Sequence, residues 1–225
     1  MLHRRYADGT PRPLCRGALH GCTATVSWLL LASHWNDVRT EVLPTVLALL
    51  WTLTFSSLLH LYPWSSALTE NYICRMDRVG IIWITMASIG LTPLLVEDER
   101  CRPALAFTVL TNAVPNLISA ASVLRGSTVS PNFIWSVALS NLACAAHWAT
   151  IDARFVAMSV AICTTYCAGF WFYSTQFDFG RPVHAEYWGY HEHMHVFITI
   201  AFVMHAAAIH FFVSECTMPR QSAEP

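Results

Sequence analysis

Long apolar segments dominate this 225-residue chain and limit what it can fold into. Seven of them approach the roughly 20 residues that a helix needs to cross about 30 Å of hydrocarbon. Most charged residues, Pro and Gly lie between the segments, as is typical of loops. The sequence therefore predicts an all-α fold, a bundle of seven transmembrane helices. The predicted spans are residues 17–34, 42–62, 78–96, 103–123, 133–150, 155–174 and 190–213.

Composition favours a membrane protein and argues against a nucleic-acid-binding domain. Charged residues make up 12% of the chain, about half of their share in a soluble domain. The formal net charge is -1, whereas nucleic-acid binding needs clustered positive charge. We expect one transmembrane domain, residues 17–213, between a polar N-terminal tail, 1–16, and a polar C-terminal tail, 214–225. A cleaved signal peptide is a rival interpretation of the first segment.

Two pairs of polar residues with helical spacing lie inside the apolar sequence. Ser56 precedes His60 by four residues, and His191 precedes His195 by four. Residues four apart share one face of a helix. Asp77 opens the third predicted span. Imidazoles and a carboxylate are costly in hydrocarbon unless they bind something, so a metal ion is the simplest reason for this pattern.

The direction of the predicted helices brings these residues to one side of the membrane. The second helix ends near His60, the third begins at Asp77 and the seventh begins at His191. With one crossing per helix, all three ends lie on the side of the N-terminus. The pattern therefore predicts one shared site at one membrane face.

We interpret this site as a zinc centre. His60, His191 and His195 would each supply one imidazole nitrogen, the three-His pattern of a catalytic zinc that keeps water in its fourth position. Asp77 would act as the base toward that water, and Ser56 would hold the water or a developing oxyanion. Alternatives stay open: headgroup hydrogen bonds for the histidines, a helix cap for Asp77, and a backbone hydrogen bond for Ser56.

The other histidines are not expected to join this centre. His193 lies about 200° around the helix from His191 and is expected to face headgroups or a neighbouring helix. His205 lies about 21 Å along the helix axis from His191. His147 and His210 have no partner in the sequence pattern, and we interpret them as structural.

Glu192 and the cysteines are also placed outside the site. His191-Glu192-x2-His195 matches the string HExxH, but soluble zinc proteases place that motif within a helix of a globular domain. We expect Glu192 to be solvated. The eight Cys form no CxxC pair, which argues against a thiolate zinc site. A disulfide between Cys15 and Cys74, expected on one membrane side, stays open.

The Ser-x3-His, Asp and His-x3-His pattern on seven helices resembles the CREST superfamily. This superfamily includes alkaline ceramidases, progestin and adipoQ receptors, and haemolysin III proteins. Within it the chain is most similar to the transmembrane protein 8/myomaker group, in the segments HWNDVRTEVLPTVL, VEDERCRP and YWGYHEHMHVF. The resemblance implies a zinc ion bound by His60, His191 and His195, and hydrolysis of a lipid amide or ester bond.

The expected function is that of a zinc-dependent integral-membrane hydrolase with a membrane lipid as substrate. Its location would be the plasma membrane or an endomembrane. The alternative is a non-enzymatic receptor or a myomaker-like fusion factor with a structural zinc. A proton-coupled transporter is a third interpretation, which no internal repeat favours. The arginine distribution leans toward a cytoplasmic N-terminus, whereas the resemblance implies the opposite orientation.

Overall fold

The fold is seen in a computed structural model that describes residues 12–38, 40, 42–95, 114, 116–126, 153–177 and 187–217, without the side chains of 37, 85–95, 155 and 209–217. Across these ranges the chain forms helices and no strand, which confirms the predicted all-α class for this part of the chain. The helices are α1 (Ala18–Ser33), α2 (Leu43–Leu61), α3 (Ala67–Leu95), α4 (Ala153–Thr175) and α5 (Tyr190–Thr217).

Four of these helices coincide with predicted membrane spans. α1, α2, α4 and α5 match the first, second, sixth and seventh spans. Among the described residues, two helical segments are long and apolar enough to cross a membrane, Leu43–Leu61 and Val156–Thr175, and α1 is a shorter apolar helix. Residues 114 and 116–123 of the fourth span are helical. The rest of that span and the fifth span, 133–150, lie outside the described residues.

α3 begins before the apolar sequence does. Its first residue is Ala67, and Ser66 caps it by accepting a hydrogen bond from the backbone N–H of Thr69 at 3.4 Å. The prediction that this helix starts at Asp77 is therefore wrong, and so is the alternative that Asp77 caps it. Hydropathy marks where a helix enters hydrocarbon, whereas the cap determines where the helix begins.

α2 is central to the packing of the described helices. It packs between α1 and α3, α4 packs against α5, and α5 also contacts α1 and α3. At the α2–α3 crossing, a Cβ atom on Gly80 would lie 2.9 Å from the Thr52 Cα. Glycine therefore permits the close approach of two backbones that is typical of membrane helix pairs. The buried core comprises Ala24, Ala48, Leu53, Ile84 and Phe202.

Candidate metal centre

Three imidazoles meet where α2 ends and α5 begins. His60 lies in the last turn of α2, and His191 and His195 lie one turn apart at the start of α5. His60 and His195 are buried and His191 is half-buried. One nitrogen of each ring lies within 4.8 Å of the others, so the structure brings the three proposed ligands together.

The spacing of His60 and His191 matches that of two ligands on a single metal ion. The Nε2 atoms of His60 and His191 are 3.2 Å apart. Two nitrogens that bind a tetrahedral zinc at about 2.0–2.1 Å would lie about 3.3 Å apart. The ring planes are inclined to one another, by 84° for His60 and His191, 67° for His191 and His195, and 50° for His60 and His195. Rings inclined in this way can face one ion in their planes, which stacked rings cannot do.

Ser56 and Asp77 lie together beside the histidines. Ser56 is buried one turn before His60, and its hydroxyl forms a side-chain hydrogen bond with the Asp77 carboxyl group. The close α2–α3 crossing accounts for this contact, because Thr52 lies one turn before Ser56 and Gly80 about one turn after Asp77. The crossing thus places a carboxyl group from α3 next to the helix that carries His60.

A fourth histidine, which the sequence reasoning missed, lies at the same place. His20 of α1 is buried, and its Nδ1 lies 2.8 Å from the Ser56 Oγ. Its ring stacks on that of His195 with 3.9 Å between centroids and 9° between planes. His20 has no histidine four residues away to draw attention to it. However, it opens the first helix on the N-terminal side, so counting crossings would have found it.

Arg12 joins the N-terminal segment, defined as residues 12–17, to the end of α2. Its guanidinium is buried and donates hydrogen bonds to the carbonyl oxygens of His60 at 3.0 Å and Tyr62 at 2.8 Å. It also pairs with Glu70 of α3 at 3.1 Å. The terminal carbonyls of a helix lack partners within the helix, and Arg12 supplies donors next to a proposed metal ligand.

Arg16 joins the same segment to the start of α5. Its Nε donates to Glu192 Oε1 at 2.7 Å, and Glu192 Oε2 accepts from the backbone N–H of Gly189 at 2.7 Å. Glu192 is 1% exposed, so the prediction that it is solvated is wrong. Glu192 is the third residue of α5 and reaches back to the residue before the helix, which is half of a capping box.

The other candidate residues lie apart from the metal centre. His193 packs near Phe172 of α4 and accepts a hydrogen bond from Trp188 Nε1 at 3.3 Å, so it faces a neighbouring helix. His205 is buried, with its Nδ1 3.1 Å from the Tyr166 hydroxyl. His147 and the side chain of His210 lie outside the described residues.

The cysteines whose side chains the structure describes form no disulfide. Cys15 and Cys74, the pair for which a disulfide was left open, are both free. Cys22, Cys163 and Cys167 form no disulfide either. The described structure therefore holds its helices together without a disulfide.

Comparison with known proteins identifies the family. A family model described as haemolysin-III related matches residues 10–206. A search of curated proteins finds no match. The family match confirms the resemblance to the CREST superfamily that the five-residue pattern indicated. Because it spans most of the chain, the protein belongs to the haemolysin-III-related family, within the CREST group of membrane proteins.

Proposed function

We propose that this protein is a seven-span, zinc-dependent membrane hydrolase that cleaves an amide or ester bond of a lipid. The observation that carries the proposal is the meeting of three mutually inclined imidazoles, from the end of α2 and the start of α5, with the Ser56 hydroxyl and the Asp77 carboxyl group. Membership of a membrane-protein family supports the membrane setting. The predicted spans 103–123 and 133–150 complete the bundle of seven.

Aromatic residues beside the centre support a position at the membrane–water interface. Tyr62 and Trp64 follow the end of α2, and Tyr187 and Trp188 precede α5. Tyr62 and Tyr187 are about half exposed. Tyr and Trp are enriched where membrane helices meet the headgroups. The amide and ester groups of membrane lipids lie at this depth, which favours a lipid carbonyl as the substrate.

The proposed chemistry divides among the residues of the site. His60, His191 and His195 hold the ion, which when bound supplies a Lewis acid and an activated water molecule. Asp77, as general base, accepts a proton from the water molecule that attacks the lipid carbonyl carbon, and passes it to the nitrogen or oxygen of the leaving group as the amide or ester bond breaks. Once protonated, Asp77 donates a hydrogen bond to Ser56, and this frees the Ser56 hydroxyl hydrogen for the oxyanion on the lipid carbonyl.

Metal analysis of the purified protein tests the centre itself. We expect one zinc per chain in the wild-type protein and none in His60→Ala or His195→Ala. His193→Ala is the matched control, because His193 lies on the same helix but packs against α4. Wild-type protein without bound metal, or a zinc content unchanged in both ligand variants, would contradict the proposed centre.

Lipid hydrolysis tests the catalytic assignment. Incubation with ceramides and phospholipids is expected to release fatty acid. Asp77→Asn should lower the rate by about 10²–10⁴-fold, since it removes the general base, while zinc stays bound. A protein that binds zinc but releases no fatty acid from either lipid class would instead favour the receptor or fusion factor with a structural zinc.

A further inference from the structure

His20 touches two members of the centre, yet the proposed chemistry does not use it. Its ring is 3% exposed and lies between α1 and the other helices of the site. It contacts Ser56 through Nδ1 and His195 through its ring face. It therefore contacts both a proposed metal ligand and the proposed oxyanion donor.

The stacked geometry excludes His20 as a ligand of the ion that His195 would bind. A metal lies close to the plane of the imidazole that binds it, about 2.0–2.1 Å from the nitrogen. Two nearly parallel rings with centroids 3.9 Å apart cannot both hold one ion in their planes. His60 and His191 are inclined to His195 and meet no such obstacle. His20 is thus a neighbour of the ligand set and not a fourth member.

The hydrogen bonds of Ser56 indicate what His20 contributes. A hydroxyl has one hydrogen to donate and two lone pairs to accept with. Ser56 contacts both His20 Nδ1 and the Asp77 carboxyl group. If the single hydrogen serves Asp77 or the oxyanion, the contact with His20 must be an N–H donated by the imidazole. His20 then turns the Ser56 hydroxyl hydrogen away from itself and toward the reacting groups.

We propose that His20 is a positioning residue of the metal centre. Its N–H orients the Ser56 hydroxyl, and its ring face fixes the plane of the His195 imidazole. The inference rests on the proposed function, but the metal-binding part of it is measurable without turnover. Residues that orient metal ligands from outside the ligand set commonly change metal affinity by about 10- to 100-fold when they are replaced.

Two substitutions separate the two contacts. His20→Phe keeps a ring that stacks on His195 but has no hydrogen-bond donor, and His20→Asn keeps a donor near the position of Nδ1 but has no ring. We expect His20→Asn to weaken zinc binding about 10- to 100-fold and to shift the visible bands of the Co²⁺-substituted protein. His20→Phe should leave both close to wild type.

The Ser56 contact has its own readout. His20→Phe should lower kcat by the same factor as Ser56→Ala, and the double variant should be no slower than Ser56→Ala alone. His20→Asn keeps a donor near Ser56, so its kcat in zinc-saturated protein should fall less than that of His20→Phe. Thermal unfolding of the metal-free variants checks that each is folded.

The outcomes separate this proposal from the proposed function. Zinc affinity and Co²⁺ bands that are unchanged in both variants, or that change equally in both, would overturn the positioning role. Wild-type protein that binds zinc but hydrolyses no lipid would refute only the hydrolase, since zinc affinity and the Co²⁺ spectrum would still decide the role of His20. Wild-type protein that binds no metal would overturn both proposals.

Discussion

A single glycine determines how closely α1 approaches the metal centre. Gly17 has a φ of 79°, and a Cβ atom there would lie 2.5 Å from the Cβ of His60. A residue with a side chain pays about 1–2 kcal/mol for a left-handed backbone. The His60 Cβ is fixed to its helix, so it cannot move aside on its own. Gly17 therefore allows His20 and His60 to belong to the same site.

Gly17→Ala is expected to destabilise the protein and to weaken zinc binding, because the added methyl group displaces His60. Gly21→Ala is the control, since the nearest atom to its Cβ is the Leu61 Cδ1 at 2.7 Å, the end of a flexible side chain. Thermal unfolding and zinc titration of both variants measure the difference. Equal effects of the two substitutions would show that contact with His60 is not what matters at position 17.

For individual residues, sequence reasoning predicted those that occur in pairs four positions apart, but it missed His20, which has no such partner. The four-residue spacing of His191 and His195, and of Ser56 and His60, predicts a shared helix face whatever the rest of the fold. His20 has no such partner, and its importance comes from contacts with residues 36 and 175 positions away (56 − 20 and 195 − 20). Spacing within one helix carries no information about such contacts.

Among the helices, the start of α5 combines a helix cap with two proposed metal ligands. Glu192 lies between two proposed ligands, His191 and His195, and caps the helix that carries them. Its second oxygen pairs with Arg16 from the N-terminal segment. The first turn of α5 is therefore fixed by two contacts, one within the helix and one to the N-terminal segment. Together they set the position of its histidines along the helix axis relative to His60.

Glu192→Ala is expected to lower the free energy of unfolding by about 3 kcal/mol, because it removes the carboxylate that pairs with Arg16. Breaking a buried ion pair costs about 3–5 kcal/mol. The lower end applies since the Arg16 side chain is 12% exposed and keeps some contact with water. The double variant Arg16→Ala/Glu192→Ala should lose less than the sum of the single losses, as measured by chemical unfolding. Additive losses would show that the two side chains do not interact in the folded protein.

The errors in the helix predictions share one cause. Hydropathy predicts the start of α5 at residue 190 correctly, but it places the start of α3 at Asp77 and Glu192 in solvent. Both errors disappear when Ser66 and Glu192 are recognised as capping residues. Polar residues within the interfacial turns of a helix are read as loop by hydropathy alone, although no Pro or Gly interrupts residues 67–77.

Across the whole molecule, the proposed metal would join two groups of helices. His60 belongs to α2, which packs with α1 and α3, whereas His191 and His195 belong to α5, which packs with α4. Helix direction predicted this meeting, because it depends only on the number of crossings. Helix direction could not predict the contacts of the N-terminal segment, because those contacts are made by side chains that extend beyond the helix ends.

Removing the metal is therefore expected to destabilise the whole bundle. A ligand present at 100 times its Kd stabilises the folded state by about 2.7 kcal/mol. We expect a chelator to lower the melting temperature of the wild-type protein and zinc to restore it. His60→Ala should melt at the same temperature with and without the chelator. If the chelator does not change the melting temperature of the wild-type protein, the ion does not hold α2 and α5 together.

The ion pair between Arg16 and Glu192 also has a consequence for biosynthesis. The two residues are 176 positions apart, and His60 and His191 are 131 apart. A ribosome completes the first member of each pair long before the second. Arg16, His20 and His60 are therefore synthesised before their α5 partners exist, and the proposed centre can close only after α5 has been made.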